Sequence, residues 1–336
     1  MTVRIGMEGA TGIVSVDDEN LGFRLALREA PVEYRLADRD RPLAIAGSAR
    51  RLREHEGVHL LLNFYGGPAS NEVAQLANTV GLPYLFPHTF LLPRWAGRYV
   101  FTSYPRFEGE MQLWKRFFKQ KGWERICVMR APNVYGDLYA DGLGTLPSIL
   151  VPDAEPASLG PELQGAREMH PDAVVLALYP TQAQRVMEAR AATGWKDACF
   201  ITAGPLTDEW SLVTPAADAE GVVGFCYFPD PERSHEPGVE AYRRAMRRAH
   251  PGHRLNRYSL YGYAYGLLTL EALRRCCYSP RADDLVRALE SISHWDSGGI
   301  MPPVTFSPTD HHAQHAGMIS EVRDGRLVPI TDWIEP

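Results

Sequence analysis

Short apolar, β-branched runs alternate with helix-period segments from the start of the chain. Val3–Met7 reads as a strand, Asn20–Glu29 as an amphipathic helix, Val32–Leu36 as a strand, Ala44–Glu54 as a helix and Val58–Asn63 as a strand. A helix over Ala69–Thr79 and a strand at Pro83–Phe86 complete this series. Strands separated by helices pair in parallel through crossovers, so the pattern predicts a parallel sheet covered by helices on both faces.

A second series follows the strand-like Tyr99–Thr102. Phe107–Lys121 has helical period, Arg125–Met129 is a strand, Val134–Leu143 a helix, Ile149–Val151 a short strand and Leu159–Met169 a helix. The wholly apolar Ala173–Leu178 predicts a strand buried on both faces, and a helix over Gln182–Thr193 precedes strands at Cys199–Thr202 and Gly221–Cys226. The Pro-rich, charged Pro229–Pro237 is the best candidate for a crossover or hinge. Helical patterns then cover Gly238–Ala249, Tyr258–Cys277 and Ala282–Ile292. Late strands are expected at Val304–Phe306, Met318–Val322 and Leu327–Ile330, with a turn at Asp324-Gly325.

Composition narrows the class. The chain has 336 residues, a length at which one core usually splits in two, and its 29 Gly and 26 Pro stay below the level of low-complexity chains. A net charge of -6, with basic residues scattered, argues against a nucleic-acid or anionic-membrane partner. No apolar stretch approaches the ~18 residues of a membrane span, and the opening residues, which run directly into the strand-like Val3–Met7, are not expected to be a signal peptide. The chain is therefore expected either to work in the cytosol or to be a mature exported form. Its 5 Cys sit mostly in apolar runs without a metal-type CxxC spacing, and are expected to be core thiols.

The first strand runs into Gly6-Met7-Glu8-Gly9-Ala10-Thr11-Gly12, and Asp38 ends the second strand, which together imitate a dinucleotide fingerprint. Two features oppose that reading. The helix is expected to start near Asn20, too late for its N-terminus to reach a phosphate, and no Tyr stands four residues before Lys115, Lys119, Lys121 or Lys196 as a reductase pair requires.

With both series laid out, the chain resembles the type I periplasmic binding proteins, in particular the leucine/isoleucine/valine-binding family of ABC-importer receptors. The resemblance rests on the strand and Gly-rich turn Ile5–Gly12, on Leu60–Ser70, on Gly81–Thr89, on Tyr135-Gly136, on Asp172–Pro180, and on the closing segments Phe306–His311 and Glu321–Arg326. It implies an α/β fold of two doubly wound parallel-sheet lobes joined by a multi-crossing hinge. The lobes expected are 1–103 with 232–297, and 104–231 with 298–336. It implies a small ligand held in the inter-lobe cleft by hinge closure. The head would sit near Gly67, Ala69, Ser70, His88 and Thr89 of the first lobe, and the body would be covered by Tyr135, Tyr179 and Gly204 of the second, with Tyr65 or Phe64. Small residues with free N–H groups at a helix start suit a carboxylate, although Ser70 also reads as a plain N-cap.

The family's acid for a ligand ammonium is missing: Ile201-Thr202-Ala203-Gly204-Pro205-Leu206 stands at the matching place, with no acid before Asp208 and Glu209. An amide, keto acid or aromatic carboxylate is expected over a branched-chain amino acid. The partners implied are the ligand and an ABC permease, in a periplasmic or extracytoplasmic setting. The alternative is a cytosolic ligand sensor of the same fold read by a regulatory partner, and an NAD(P)-binding reductase-like protein ranks third. No enzyme activity, cofactor or metal is expected, since GxSxG, HExxH and P-loop spacings are absent. The run His311-His312-Ala313-Gln314-His315 is read as a surface loop, and Asp17-Asp18-Glu19 as acids preceding a helix, favoured there by its dipole.

Overall fold

The computed structural model describes residues 2–9, 14–37, 45–64, 69–89, 92–93, 95–152, 159–202 and 216–335. Two compact units emerge, each built from separate stretches of chain. The first is Met1–Arg106 with Phe228–His315, and the second is Phe107–Tyr227 with Ala316–Pro336.

The first unit contains β1 (Val3–Glu8), α1 (Val14–Leu27), β2 (Val32–Ala37), α2 (Ile45–Glu54), β3 (Leu60–Leu62), α3 (Ser70–Val80), β4 (Tyr84–Leu85) and β5 (Val100–Phe101). Its sheet runs β2-β1-β3-β4-β5, all neighbours parallel, with Ile5 opposite Leu60 and Leu61 opposite Tyr84. This is the doubly wound order in which the chain reverses direction across the sheet beside β1, and ligands of such sheets bind at the carboxyl ends of the strands there. Leu52, Leu61, Phe64, Val73, Leu76 and Tyr84 pack into one core on one face.

The second unit holds α4 (Phe107–Lys121), β6 (Ile126–Arg130), α5 (Val134–Leu143), β7 (Ser148–Leu150), α6 (Gly160–Glu168), β8 (Ala173–Ala177), α7 (Pro180–Thr193), β9 (Cys199–Thr202), the short α8 (Ala216–Ala219) and β10 (Val223–Cys226). After three helices of the first unit, α9 (Pro237–Ala249), α10 (Arg257–Arg275) and α11 (Ala282–Glu290), the chain returns to it with β11 (Met318–Arg323) and β12 (Arg326–Pro329). The sheet order is β12-β11-β10-β9-β8-β6-β7. Strands β6 to β10 repeat the parallel order of the first unit, and the final hairpin adds antiparallel to β10. Every residue of β8 is buried, as the apolar run predicts, and the hairpin turns on Asp324 (φ 51°) and Gly325 (φ 69°), both left-handed as a tight two-residue turn requires.

Four expectations are corrected. Helix α1 begins at Val14, not near Asn20, so the late start cannot be used against a nucleotide. Asp17, Asp18 and Glu19 lie inside that helix, and Glu19 is fully buried. The His311–Gln314 segment is buried rather than a surface loop, because it lies along the sheet edge beyond β5: the Thr102 N–H donates to the His311 carbonyl at 3.0 Å and the Ala313 N–H to the Thr102 carbonyl at 2.9 Å. Val304–Phe306 is no sheet strand, and Val304 only bridges Trp295. All five cysteines are free; Cys127 and Cys226 are buried as expected, whereas Cys277 is exposed.

Candidate functional site

In the first unit, the segments after β3 and β4 leave adjacent strands at the same sheet edge. The chain leaves β3 through Asn63, whose left-handed backbone (φ 47°) turns its amide toward α1, where Nδ2 donates to Asn20 Oδ1 at 3.0 Å. Asn63 Oδ1 is buried with no partner among the described residues. Ala69, not Ser70, occupies the cap position of α3, and it makes no side-chain cap bond. Ser70 is the first helical residue; its buried hydroxyl hydrogen-bonds Tyr84, whose own hydroxyl donates to the Phe64 carbonyl at 2.6 Å. The plain N-cap reading of Ser70 is thereby replaced by a tie between the start of α3 and β4. His88 and Thr89 follow β4 and are nearly buried.

His88 belongs to a polar cluster that residue spacing does not predict. Its Nδ1 lies 2.8 Å from Glu19 Oε1, and the Tyr104 hydroxyl donates to the same oxygen at 2.9 Å. Burial, followed by the neighbouring Glu19 charge, pushes the Tyr104 hydroxyl well above its ordinary pKa, so it stays a neutral donor. Glu19 is entirely buried, and its second oxygen, Oε2, has no partner among the described residues.

In the second unit, Tyr135 opens α5 just beyond β6, and Tyr179 precedes α7 just beyond β8. β6 and β8 are neighbours at the reversal point of this sheet, so both rings stand at its carboxyl edge. The rings stack with centroids 5.6 Å apart and 15° between planes; Tyr135 is buried, while Tyr179 is 42% exposed. Val134 beside them is 64% exposed, which adds an apolar surface. Beneath this pair lies a buried carboxylate. Glu110 Oε1 accepts from Trp114 Nε1 at 3.0 Å and from the Tyr139 hydroxyl at 2.8 Å, and Oε2 accepts from the Tyr227 hydroxyl at 2.9 Å. Both tyrosines are raised well above the ordinary phenol pKa by burial and then by the Glu110 charge.

The expected Tyr65, Gly67 and Gly204 lie outside the described residues. Within each unit the remaining expected residues share one sheet edge: Ala69, Ser70, His88 and Thr89 in the first, Tyr135 and Tyr179 in the second. A groove of about 700 Å³ lined by Arg190, Lys196, Asp218, Glu220 and Asp324 lies at the amino ends of β9 and β10, away from these residues. Among the described residues no cluster of His, Cys, Asp and Glu could hold a metal, and no helix is long and apolar enough to cross a membrane.

Two doubly wound units interleaved along one chain are the architecture of the type I solute receptors. A sequence profile of the periplasmic binding protein family matches residues 6–326, and the chain belongs to that family of solute-binding receptors. Similar solved structures include a possible leucine/isoleucine/valine-binding protein from Rhodopirellula baltica, at 19% identity and a TM-score of 0.84, covering 98% of this chain and 96% of that one. A branched-chain amino acid ABC transporter protein from Thermus thermophilus with bound valine is 15% identical with a TM-score of 0.79, covering 100% and 97%. A leucine-binding protein from Thermotoga maritima is 16% identical with a TM-score of 0.80, covering 100% and 99%. At these identities the likeness establishes the fold. No curated protein matches the chain.

Proposed function

We propose that the chain is the solute-binding component of an ABC importer, working outside the cytoplasm on a small ligand with a polar head and an apolar or aromatic body. Ser70, His88 and Thr89, with Ala69 and the neighbouring Tyr65 and Gly67, hold the head. Tyr135 and Tyr179 take the body, together with Gly204. The observation that carries this reading is the placement of the Tyr135–Tyr179 stack, with Tyr135 buried and Tyr179 half-exposed, at the carboxyl edge beside the reversal point of its sheet. The family match supports the receptor role and its partner, a permease. Keto acids, amides and aromatic acids are favoured over amino acids because Ile201–Leu206 lacks an acid for a ligand ammonium.

Isothermal titration and thermal melting with branched-chain amino acids, aliphatic amides, keto acids and aromatic acids test the reading. A ligand at a hundredfold excess over its Kd should stabilise the protein by about 2.7 kcal/mol. Absence of heat and of a melting shift across all four classes would remove the receptor assignment.

A second reading, a cytosolic sensor of the same fold coupled to a regulatory protein, is favoured by one observation. All five cysteines are free and Cys277 is exposed, which suits a reducing compartment. An export signal encoded ahead of Thr2 would exclude it.

A further inference from the structure

The cavity of about 700 Å³ at the amino ends of β9 and β10 is built by three turns of the second unit. Its walls carry opposite charges. The connection from α7 to β9 brings Arg190 and Lys196, the connection from α8 to β10 brings Asp218 and Glu220, and the β11–β12 hairpin brings Asp324. Among the described residues, neither basic group pairs with an acid, although three carboxylates line the same space. The turns hold the walls apart. Gly194, Gly221 and Gly325 are left-handed (φ 64°, 77° and 69°), and a Cβ on Gly194 or Gly221 would meet nothing within 4 Å, so the space beside both is empty. The Gly221 N–H donates to the Val322 carbonyl at 2.9 Å and the Asp324 N–H to Glu220 Oε1 at 3.3 Å, which joins the acidic side into one piece.

Arg190 is fixed without being neutralised. Its guanidinium carbon lies over the Phe200 ring, 4.7 Å from the centroid, and Nε donates to the Trp195 carbonyl at 3.1 Å. Burial pushes its pKa below the ordinary guanidinium value, and Cys199, whose thiol burial raises to about 11, supplies no charge at neutral pH. A partly desolvated cation without a counter-ion is costly, and an arriving anion relieves that cost. Neither Nη is engaged by the described residues, which leaves the fork that accepts a carboxylate.

We propose that this cavity is a second ligand site, separate from the Tyr135–Tyr179 edge, and that it takes a small dipolar ion, with the carboxylate on Arg190 and Lys196 and the ammonium among Asp218, Glu220 and Asp324. Its volume falls within the range of small-molecule sites. A plain anion would meet three carboxylates and a plain cation two basic groups. Only a ligand bearing both charges is served by both walls, so the site discriminates by charge pattern.

Titration calorimetry on the full chain tests this with glycine, β-alanine, 4-aminobutanoate and 6-aminohexanoate, which set the two charges at increasing separation, and with butanoate and butylamine as singly charged controls. At least one dipolar probe should bind, roughly tenfold or more tighter than either control, the scale of one charged hydrogen bond. Arg190→Gln should weaken that probe by roughly tenfold, and the exposed Asp218→Asn by roughly threefold. Because Arg190 also packs on Phe200, Asp218→Asn keeps the test open if Arg190→Gln fails to fold. Tyr179→Ala reports on the other edge: binding lost there but kept in Asp218→Asn belongs to the inter-lobe ligand and overturns the proposal. So does a control that binds as tightly as the dipolar probes, an affinity unchanged in both cavity variants, or the absence of binding by all four dipolar probes. None of these outcomes bears on the receptor reading, which stands or falls on its own ligand classes.

Discussion

Tyr135 and Tyr179 lie parallel, 5.6 Å between ring centroids, although one opens α5 and the other leaves β8. The buried ring supports the half-exposed one, so the two tyrosines have separable roles. Tyr179→Ala should leave the melting temperature nearly unchanged and weaken ligand binding by about 1 kcal/mol, roughly fivefold, as expected for loss of one aromatic contact. Tyr135→Ala should cost about 3 kcal/mol of stability, because the ring is core. Calorimetric binding and urea unfolding of both variants measure the split. Equal stability losses would show that Tyr179 is a structural ring.

Glu110 is the acceptor for three buried donors, Trp114 Nε1 and the hydroxyls of Tyr139 and Tyr227. An unmade buried hydrogen bond costs about 1–3 kcal/mol. Glu110→Ala should therefore destabilise the protein by about 3–5 kcal/mol, and Glu110→Gln, which keeps a carbonyl oxygen, by about 1–2 kcal/mol. The urea midpoint is the measurement. A loss below about 1 kcal/mol in the alanine variant would mean that water replaces the carboxylate.

Both buried carboxylates were invisible in the sequence for the same reason. Glu110 stands in the first turn of α4 and Glu19 near the start of α1, where acids are expected on electrostatic grounds alone. Nothing in residue spacing reveals that their partners come from β10's exit at Tyr227 or from His88. The strands were legible because a parallel strand covered on both faces must be an unbroken apolar run, as in Ala173–Ala177. The start of α1 was not, since Ser15, Glu19 and Asn20 are buried polar residues and spoil the amphipathic stripe on which a helix is read. The burial of His311 and His312 depends on pairing with Thr102, a contact from another part of the chain that local polarity cannot report.

That pairing has a pH consequence. Desolvation, aided by Arg106 and His315 and opposed by Asp310, pushes His312 down from 6.5 to about 4. The unfolded chain takes up this proton near its ordinary value, whereas the folded chain refuses it until about pH 4. Between those limits the unfolded state binds more protons, so stability rises with pH across the window and is lost on acidification. The contribution is up to about 3 kcal/mol. His311, also lowered chiefly by burial, acts in the same direction. Urea unfolding of the wild type and His312→Asn from neutral to acid pH should show a shallower decline in the variant. Parallel curves would place the acid sensitivity elsewhere.

The position of Glu19 depends finally on how closely α1 approaches α10. A Cβ on Gly262 would lie 1.9 Å from the Glu19 carbonyl oxygen, and a Cβ on Gly22 would lie 2.1 Å from the Ser259 carbonyl oxygen. These neighbours are backbone atoms, so no side-chain rotation relieves the overlap and one helix must move. Gly262→Ala should therefore cost about 3 kcal/mol or more. Because the displaced backbone carries Glu19 itself, the contacts of its carboxylate with His88 and Tyr104 should loosen in whatever fraction still folds. Gly252→Ala, where a Cβ meets nothing within 4 Å, is the control and should stay within about 0.5 kcal/mol of the wild type. Chemical denaturation of the two variants decides the matter. A Gly262→Ala protein as stable as the control would mean that the helices separate freely, and that the seat of Glu19 is set by its hydrogen bonds rather than by the glycine contact.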